Sequence, residues 1–303
     1  MTTPDYKPAI IAIVSICLLT LSESHAQETT LQWKFEAGNQ LSVSMHQQTQ
    51  IVSQVDRRSR TSSNDMHIWI DWQVIAVDQD QTASIKQTIK RIKLETKTPN
   101  EGGEQVTRVD TSDGKAAQGL AAKLVQLIKP LIGGTITIQI NGRGVIESVE
   151  IPEATMETLR QAPASMQLRQ LFTEQGLKEM FGQAALEMPA DPMAAGETWE
   201  TTAQISSELG TFDQVQMFTL EEGGEESALR IITLKTELRE TKSSPSGARL
   251  ESFTGTGRFT YDSSKGLFTE SRIDNQMVTT KPYRNMVIKT DVTSMIELTV
   301  ARQ

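Results

Sequence analysis

The sequence predicts an α+β protein that is mainly β, with a long, curved antiparallel sheet or partial barrel and a helical insert packed on one face. Three observations support this prediction. Apolar and polar residues alternate over long runs near both ends of the chain, as in strands with one solvated face. Glycine-containing turns connect several of these runs. A middle region instead has apolar residues at helical spacing.

The alternating runs are unusually long for strands. Odd positions are mostly apolar in residues 41–55, and even positions are mostly apolar in 66–76 and 286–300. Similar runs occupy about 82–94, 228–238, 248–261 and 266–280. A run of about sixteen residues would extend over about 50 Å at roughly 3.3 Å per residue. Because long twisted strands curl, we expect a strongly curved sheet.

Two hairpin turns can be recognised. Asn141-Gly142 follows an alternating isoleucine run and precedes another apolar run, and both turn residues tolerate a positive φ. Residues 262–266 form a looser turn of the same kind between two further alternating runs.

The middle of the chain is predicted to be helical. Apolar residues recur at helical spacing from about Lys115 to Leu131, and Asp113 is placed to cap this helix. Short helical stretches follow near 153–161, 164–173 and 175–187. We therefore predict a single domain over residues 27–303, with β segments at 30–110 and 197–301 and a helical region containing one β-hairpin at 115–187.

The first 26 residues have the features of a secretory signal peptide. Lys7 precedes an apolar run from Ala9 to Leu21, and small residues, Ser24 and Ala26, stand before the expected cleavage site. The apolar run reaches only about 20 Å as a helix, short of the roughly 30 Å of a bilayer core. We therefore expect cleavage after Ala26, no remaining transmembrane segment, and a soluble protein in the periplasm or outside the cell.

Composition excludes several functional classes. The chain has 30 Lys and Arg residues against 38 Asp and Glu, a formal charge of −8, which argues against a nucleic-acid partner. Cleavage would remove Cys17, the one cysteine, and with it thiol catalysis and cysteine-ligated metals. His46 and His67 both fall on polar strand faces, so neither a histidine base nor a two-histidine metal site is expected. No catalytic motif is present, and we predict a protein that is not an enzyme and has no cofactor.

Trp69 and Trp72 lie at positions of opposite parity in one predicted strand. Trp72 shares the apolar face and is expected in the core. Trp69 shares the polar face, where it either packs under a loop or helix or forms part of a contact surface.

Several segments together resemble a family of exported bacterial proteins of unknown function. These are Leu31-Gln32-Trp33-Lys34-Phe35 with Gly38, Ser84–Ile89 with Ile92, Gly142-Arg143-Gly144-Val145, Pro189 and Pro192 before Gly196-Glu197-Thr198-Trp199, and Gly257 and Phe259 before Asp262 and Gly266. Other members tend to have Gly-Asp-Thr-Trp where this chain has Gly-Glu-Thr-Trp. The shared residues are turn glycines and strand aromatics, so the resemblance implies a fold and no chemistry.

Methionines cluster in the helical region and suggest an adaptable apolar surface. The residues predicted to form it are Met156, Met166, Leu171, Phe172, Met180, Phe181 and Met188. If the sheet curves around a hollow that these helices cover, the protein would be a carrier of a lipid or another apolar ligand. Two alternatives stay open: the helices only cap the core, or the protein is a structural or protein-interaction module of the cell envelope.

Overall fold

Twelve strands form one open antiparallel sheet in the computed structural model, which describes residues 28–100, 102–113, 118–153, 156–157, 186–221 and 228–303. The strands are β1 Gln40–Val55, β2 Arg58–Val77, β3 Ala83–Asn100, β4 Gly103–Asp110, β5 Thr135–Ile140, β6 Ile146–Glu150, β7 Thr198–Ser207, β8 Gly210–Leu220, β9 Leu229–Ser243, β10 Arg249–Asp262, β11 Leu267–Tyr283 and β12 Met286–Arg302. The prediction of a mainly β protein with a long antiparallel sheet is confirmed, and the sheet does not close into a barrel.

The sheet consists of two meanders, one formed by β1 to β6 and the other by β7 to β12. They join where the first strand pairs with the last. Its strand order is β6-β5-β3-β2-β1-β12-β11-β10-β9-β8-β7, with β4 paired to the outer part of β3. The central pair is β1 with β12, whose register runs from Leu41↔Arg302 to Val55↔Ile288. The first and last strands therefore hold the two meanders together.

The predicted first helix is present but shorter than expected. Helix α1 spans Gly119–Ile128, and a single 3-10 turn follows at Lys129–Leu131. Its N-cap residue is Gln118, which makes no side-chain cap hydrogen bond, so the prediction that Asp113 caps it is wrong. Asp113 instead belongs to the turn after β4, where its backbone N–H donates to the carbonyl of Asp110.

The other predicted helical stretches, near 153–161, 164–173 and 175–187, lie almost entirely outside the described residues. Among the residues that are described, no helix combines the length and the apolar composition needed to cross a membrane.

The hydrophobic core lies on one face of the sheet and at one end of the long strands. Leu41 and Val43 of β1 and Ile68 and Ile70 of β2 are buried there, as their alternation predicts. The other ends of the same strands are largely solvated, and Ile51 near the far end of β1 is 37% exposed. Only about half of each long strand therefore contributes to the core.

Candidate functional site

The N-terminal segment Thr29–Phe35 crosses the core face of the sheet and is held by the turns of two hairpins. The backbone N–H of Trp33 donates to the carbonyl of Gly142, and that of Lys34 donates to the carbonyl of Gly266, both at 2.8 Å. Leu31, Trp33 and Phe35 alternate inward and are buried. This segment, which we call the crossing segment, places the Trp33 indole over the sheet.

A buried tyrosine also fixes the crossing segment. The Tyr261 hydroxyl donates to the carbonyl of Gln32 at 2.7 Å and accepts from the Gln32 backbone N–H at 3.2 Å. Burial raises the pKa of Tyr261. The hydroxyl therefore stays protonated and keeps both hydrogen bonds over the ordinary pH range.

Glycine at position 144 allows the β5–β6 turn to approach Trp33 closely. Gly144 has a φ of +85°, and a Cβ there would lie 2.7 Å from both the Leu186 carbonyl oxygen and Trp33 Nε1. Contacts this short do not occur for real Cβ atoms, so a side chain is excluded. The turn glycine predicted from sequence thus has a second role, in positioning the indole.

An apolar cavity of about 70 Å³ lies between the crossing segment, the sheet and the β5–β6 hairpin. It is lined by Trp33, Val43, Met45, Ile68, Ile70, Trp72, Gln87, Ile89, Ile138, Ile140, Gly144, Ile146 and Leu298. None of these side chains is charged. We call this space the apolar cavity.

Gln87 is the polar exception in the cavity wall. It is fully buried on β3 between Ile85 and Ile89, and its Oε1 accepts a hydrogen bond from Trp72 Nε1 at 3.1 Å. Its Nε2 has no hydrogen-bond partner within the described part of the chain, and the same holds for Trp33 Nε1. Sequence reasoning missed Gln87, although a polar residue at an inward position between two isoleucines is a readable signal.

The predicted methionine-rich surface is only partly described. Met188 is fully buried in the core, where its backbone N–H donates to the carbonyl of Arg143, and it does not line the apolar cavity. Met156 is half-buried. Met166, Leu171, Phe172, Met180 and Phe181 lie outside the described residues, and their role as a ligand surface stays a prediction.

A larger concavity lies on the opposite, polar face of the sheet. Strand register aligns two rows of side chains across six strands: Glu95, Asp65, Gln48, Met295, Asp274 and Thr256, and Lys97, Ser63, Gln50, Thr293, Gln276 and Thr254. These rows line a groove of about 640 Å³, which we call the polar groove. Residues of β3 and β10 reach the same groove although four strands separate them, so the sheet curves around it.

The carboxylates of the polar groove are paired with neighbouring side chains. Glu95 lies 2.6 Å from Arg108 Nε, and Asp274 lies 2.8 Å from Arg272 Nε. Hydrogen bonds from Arg108 lower the pKa of Glu95. Because Glu95 is partly exposed and the other three partners are largely exposed, these pairs contribute little to stability. They do offset the negative charge of the groove.

The two histidines meet on the polar face, next to the polar groove. His46 and His67 are cross-strand partners whose ring centroids are 3.9 Å apart. His46 Nε2 lies 3.3 Å from Asp65 Oδ1, and its Nδ1 lies 3.5 Å from Glu297 Oε2. Burial and then the adjacent His46 lower the pKa of His67. The sequence placed both on polar faces, and register brings them into contact.

Trp69 has packing partners on the polar face of the sheet. Its ring has the Arg91 guanidinium 4.7 Å from its centroid and packs edge-on to His67 at 5.2 Å. Arg91 in turn is held by Asp110, whose pKa its hydrogen bonds lower strongly. Trp69 therefore packs between His67 of its own strand and the Arg91 guanidinium of the neighbouring strand β3.

No metal centre is evident in this part of the molecule. Over the residues that the structure describes, no group of three or more His, Cys, Asp or Glu side chains is arranged to hold a metal ion.

By its fold, the protein belongs to the class of antiparallel β proteins with one open sheet and a core on one face of that sheet. Residues 80–268 match a family of unknown function, DUF6263, and the chain belongs to this family. No curated protein matches the chain.

Solved structures show only distant likeness. Lipovitellin, from a study of its lipid–protein interactions, matches 88% of this chain at 9% identity with a TM-score of 0.49, and this chain spans a quarter (25%) of the lipovitellin chain. An outer membrane channel from Pseudomonas putida F1 matches 89% of this chain and 97% of its own at 6% identity, with a TM-score of 0.24. At these scores neither likeness supports a functional argument.

Proposed function

We propose that the protein is an exported, non-catalytic carrier that holds an apolar ligand, such as a lipid, in the apolar cavity. The observation that supports this is the cavity itself, which has apolar walls from three separate parts of the chain. Natural cores are close-packed, and such a space under a structured segment is uncommon. The export part rests on the sequence of residues 1–26, which lie outside the described residues.

The size of the cavity limits what it holds. At about 70 Å³ it is about half the size of the engineered cavity of about 150 Å³ that binds benzene. It therefore accommodates one end of an apolar molecule, and the remainder lies beyond its mouth. The predicted methionine-rich surface, apart from the buried Met188, is the part of the chain that we propose covers this remainder.

A cavity-filling substitution tests the carrier proposal. Ile146 lines the cavity and is half-buried, so Ile146→Phe places a larger side chain in or across the space. We expect wild-type protein, delipidated and then mixed with an envelope lipid extract, to retain lipid in native mass spectrometry. Ile146→Phe should retain at least about fivefold less, since the ring competes for the same volume.

Ile151→Phe is the matched control. Ile151 is also a partly buried isoleucine packed against the core, just beyond the same hairpin, but it does not line the cavity. It should retain lipid like the wild type, with circular dichroism confirming that both variants fold. Wild-type protein that binds no lipid would contradict the carrier function.

The polar groove favours a second candidate, a protein-interaction module of the cell envelope. The groove, of about 640 Å³, presents two rows of polar side chains from six strands as one continuous surface for a partner protein. Co-purification tests this candidate. If it recovers one specific protein, if Gln50→Leu in the groove abolishes the recovery of that protein, and if no lipid is bound, the protein-interaction function is supported and the carrier function is rejected.

A further inference from the structure

Among the described residues, the buried side-chain amide of Gln87 in the cavity wall is hydrogen-bonded only through its oxygen. An indole nitrogen only donates hydrogen bonds, so the contact with Trp72 Nε1 identifies the bonded atom of Gln87 as its carbonyl oxygen. The Nε2 group then points elsewhere, and it has no partner in the described part of the chain although the residue is fully buried.

Trp33 provides a second donor in the same cavity wall. Its Nε1 also lacks a partner among the described residues, and the side chain is only 5% exposed. Stacking on Phe35 at 5.4 Å and the close approach to Gly144 keep the ring in place. Both unpaired donors therefore belong to rigid, buried side chains.

A buried donor that is left without a partner destabilises a fold. Gln87 and Trp33 both line the apolar cavity, so an oxygen acceptor bound there would supply the partner that the described residues do not. No charged side chain lines the cavity to balance an anion, and burying an unpaired carboxylate is far more costly than burying a neutral carbonyl.

We propose that the ligand is a neutral acyl ester whose carbonyl oxygen accepts a hydrogen bond from Gln87 Nε2, with Trp33 Nε1 as the second donor. This rests on the proposed carrier function and narrows its ligand class. The ester group lies in the cavity beside Gln87 and Trp33. Because the cavity has only about 70 Å³, most of the hydrocarbon chain lies beyond its mouth.

Matched ligands separate this proposal from simple apolar binding. Methyl decanoate and tridecane have equal numbers of non-hydrogen atoms, but only methyl decanoate has an ester group. Decanoate, the third ligand, has a charged carboxylate in place of the ester. Displacement of a hydrophobic dye from the delipidated wild-type protein measures each. We expect the ester to bind the wild type at least as tightly as the alkane. The alkane gains more free energy on leaving water, but hydrogen bonds offset the cost of burying the ester group. The ester should also bind more tightly than decanoate at neutral pH.

Variants assign the preference to the donors. Gln87→Met should reduce ester affinity about tenfold and leave alkane affinity unchanged, and Trp33→Phe should act in the same direction. Gln139→Met is the matched control, because Gln139 is exposed on the neighbouring strand β5 and does not line the cavity. If Gln87→Met does not fold, Trp33→Phe and the wild-type comparison still decide the matter.

The outcomes are distinguishable. If neither ester nor alkane binds, the carrier function fails. If the alkane binds clearly more tightly than the ester, as transfer from water alone dictates, the carrier function stands and the acyl-ester proposal is overturned, with water as the partner of the two donors. An ester preference that survives both Gln87→Met and Trp33→Phe also overturns it.

Discussion

At the residue scale, the contact between Gly144 and Trp33 forms one side of the apolar cavity. The glycine combines a left-handed φ with a backbone position where no Cβ fits. Gln87 contributes its side-chain amide to the cavity wall from strand β3. The properties of the cavity therefore depend on a few residues whose individual types are physically constrained.

Gly144→Ala is expected to destabilise the protein. A left-handed backbone at alanine costs about 1–3 kcal/mol, and the clash with the Leu186 carbonyl and the Trp33 ring adds to this. Gly38→Ala is the control, because Gly38 has a similar φ of +89° and a Cβ added there would meet nothing within 4 Å. Urea unfolding measures both, and equal losses would show that the contact with Trp33 is unimportant.

At the element scale, the β10–β11 turn carries hydrogen bonds that define where its two strands end. Asp262 Oδ1 in the β10–β11 turn accepts from the backbone N–H groups of Ser264 and Lys265, at 3.0 and 3.1 Å. Lys265 Nζ also lies 2.8 Å from Asp262 Oδ2. This turn supplies Gly266, which holds the crossing segment, so its stability bears directly on the site.

We expect the β10–β11 turn to make stability depend on acid pH. Burial alone would raise the pKa of Asp262, but hydrogen bonds from Lys265 and Ser264 outweigh it and lower the pKa to about 2, from 3.8 in the unfolded chain. The carboxylate thus contributes about 2 kcal/mol above pH 4, and this contribution is lost as the pH falls toward 2. The unfolding free energy of Asp262→Asn should be lower than that of the wild type at pH 7. It should also change less with pH between about pH 2 and pH 4.

Asp191→Asn serves as the control for Asp262→Asn, since Asp191 is an exposed loop carboxylate. It should leave the pH profile of unfolding unchanged. An Asp262→Asn profile that overlays the wild type between pH 2 and pH 4 would contradict the assignment.

At the scale of the whole molecule, the β1–β12 pair connects two meanders that are otherwise separate in the sheet. Residues of these strands are far apart in sequence, and such long-range pairing slows folding. The long strands also continue well past the core, so inter-strand hydrogen bonds hold their outer halves. The stability of the molecule therefore depends on every strand of the sheet keeping its partners.

Removal of β12, residues 286–303, should therefore abolish cooperative unfolding. β1 and β11 would each lose a partner and expose an unpaired edge, which favours aggregation. Gel filtration and urea unfolding measure the effect, with a chain ending at Val300 as the control that keeps most of the β1–β12 register. A monomeric truncated chain with the wild-type midpoint would show that the meanders are independent.

The sequence by itself determined the strands and their faces, because side-chain alternation is local: Leu41, Val43, Ile68 and Ile70 are inward as their spacing requires. It also determined the hairpin turns, whose glycine-containing sequences are short-range signals. The helix start was missed, because capping at Asp113 depended on a boundary that the apolar spacing does not define.

Only the tertiary structure decided which strands pair at the centre, since backbone hydrogen bonds do not distinguish one strand partner from another. It also decided that the larger concavity lies on the polar face, because the direction of curvature depends on the twist of all strands together. The apolar cavity has the same origin. Trp33, Gln87 and Gly144 lie far apart along the chain, and only the assembled sheet brings two unpaired donors to one apolar space.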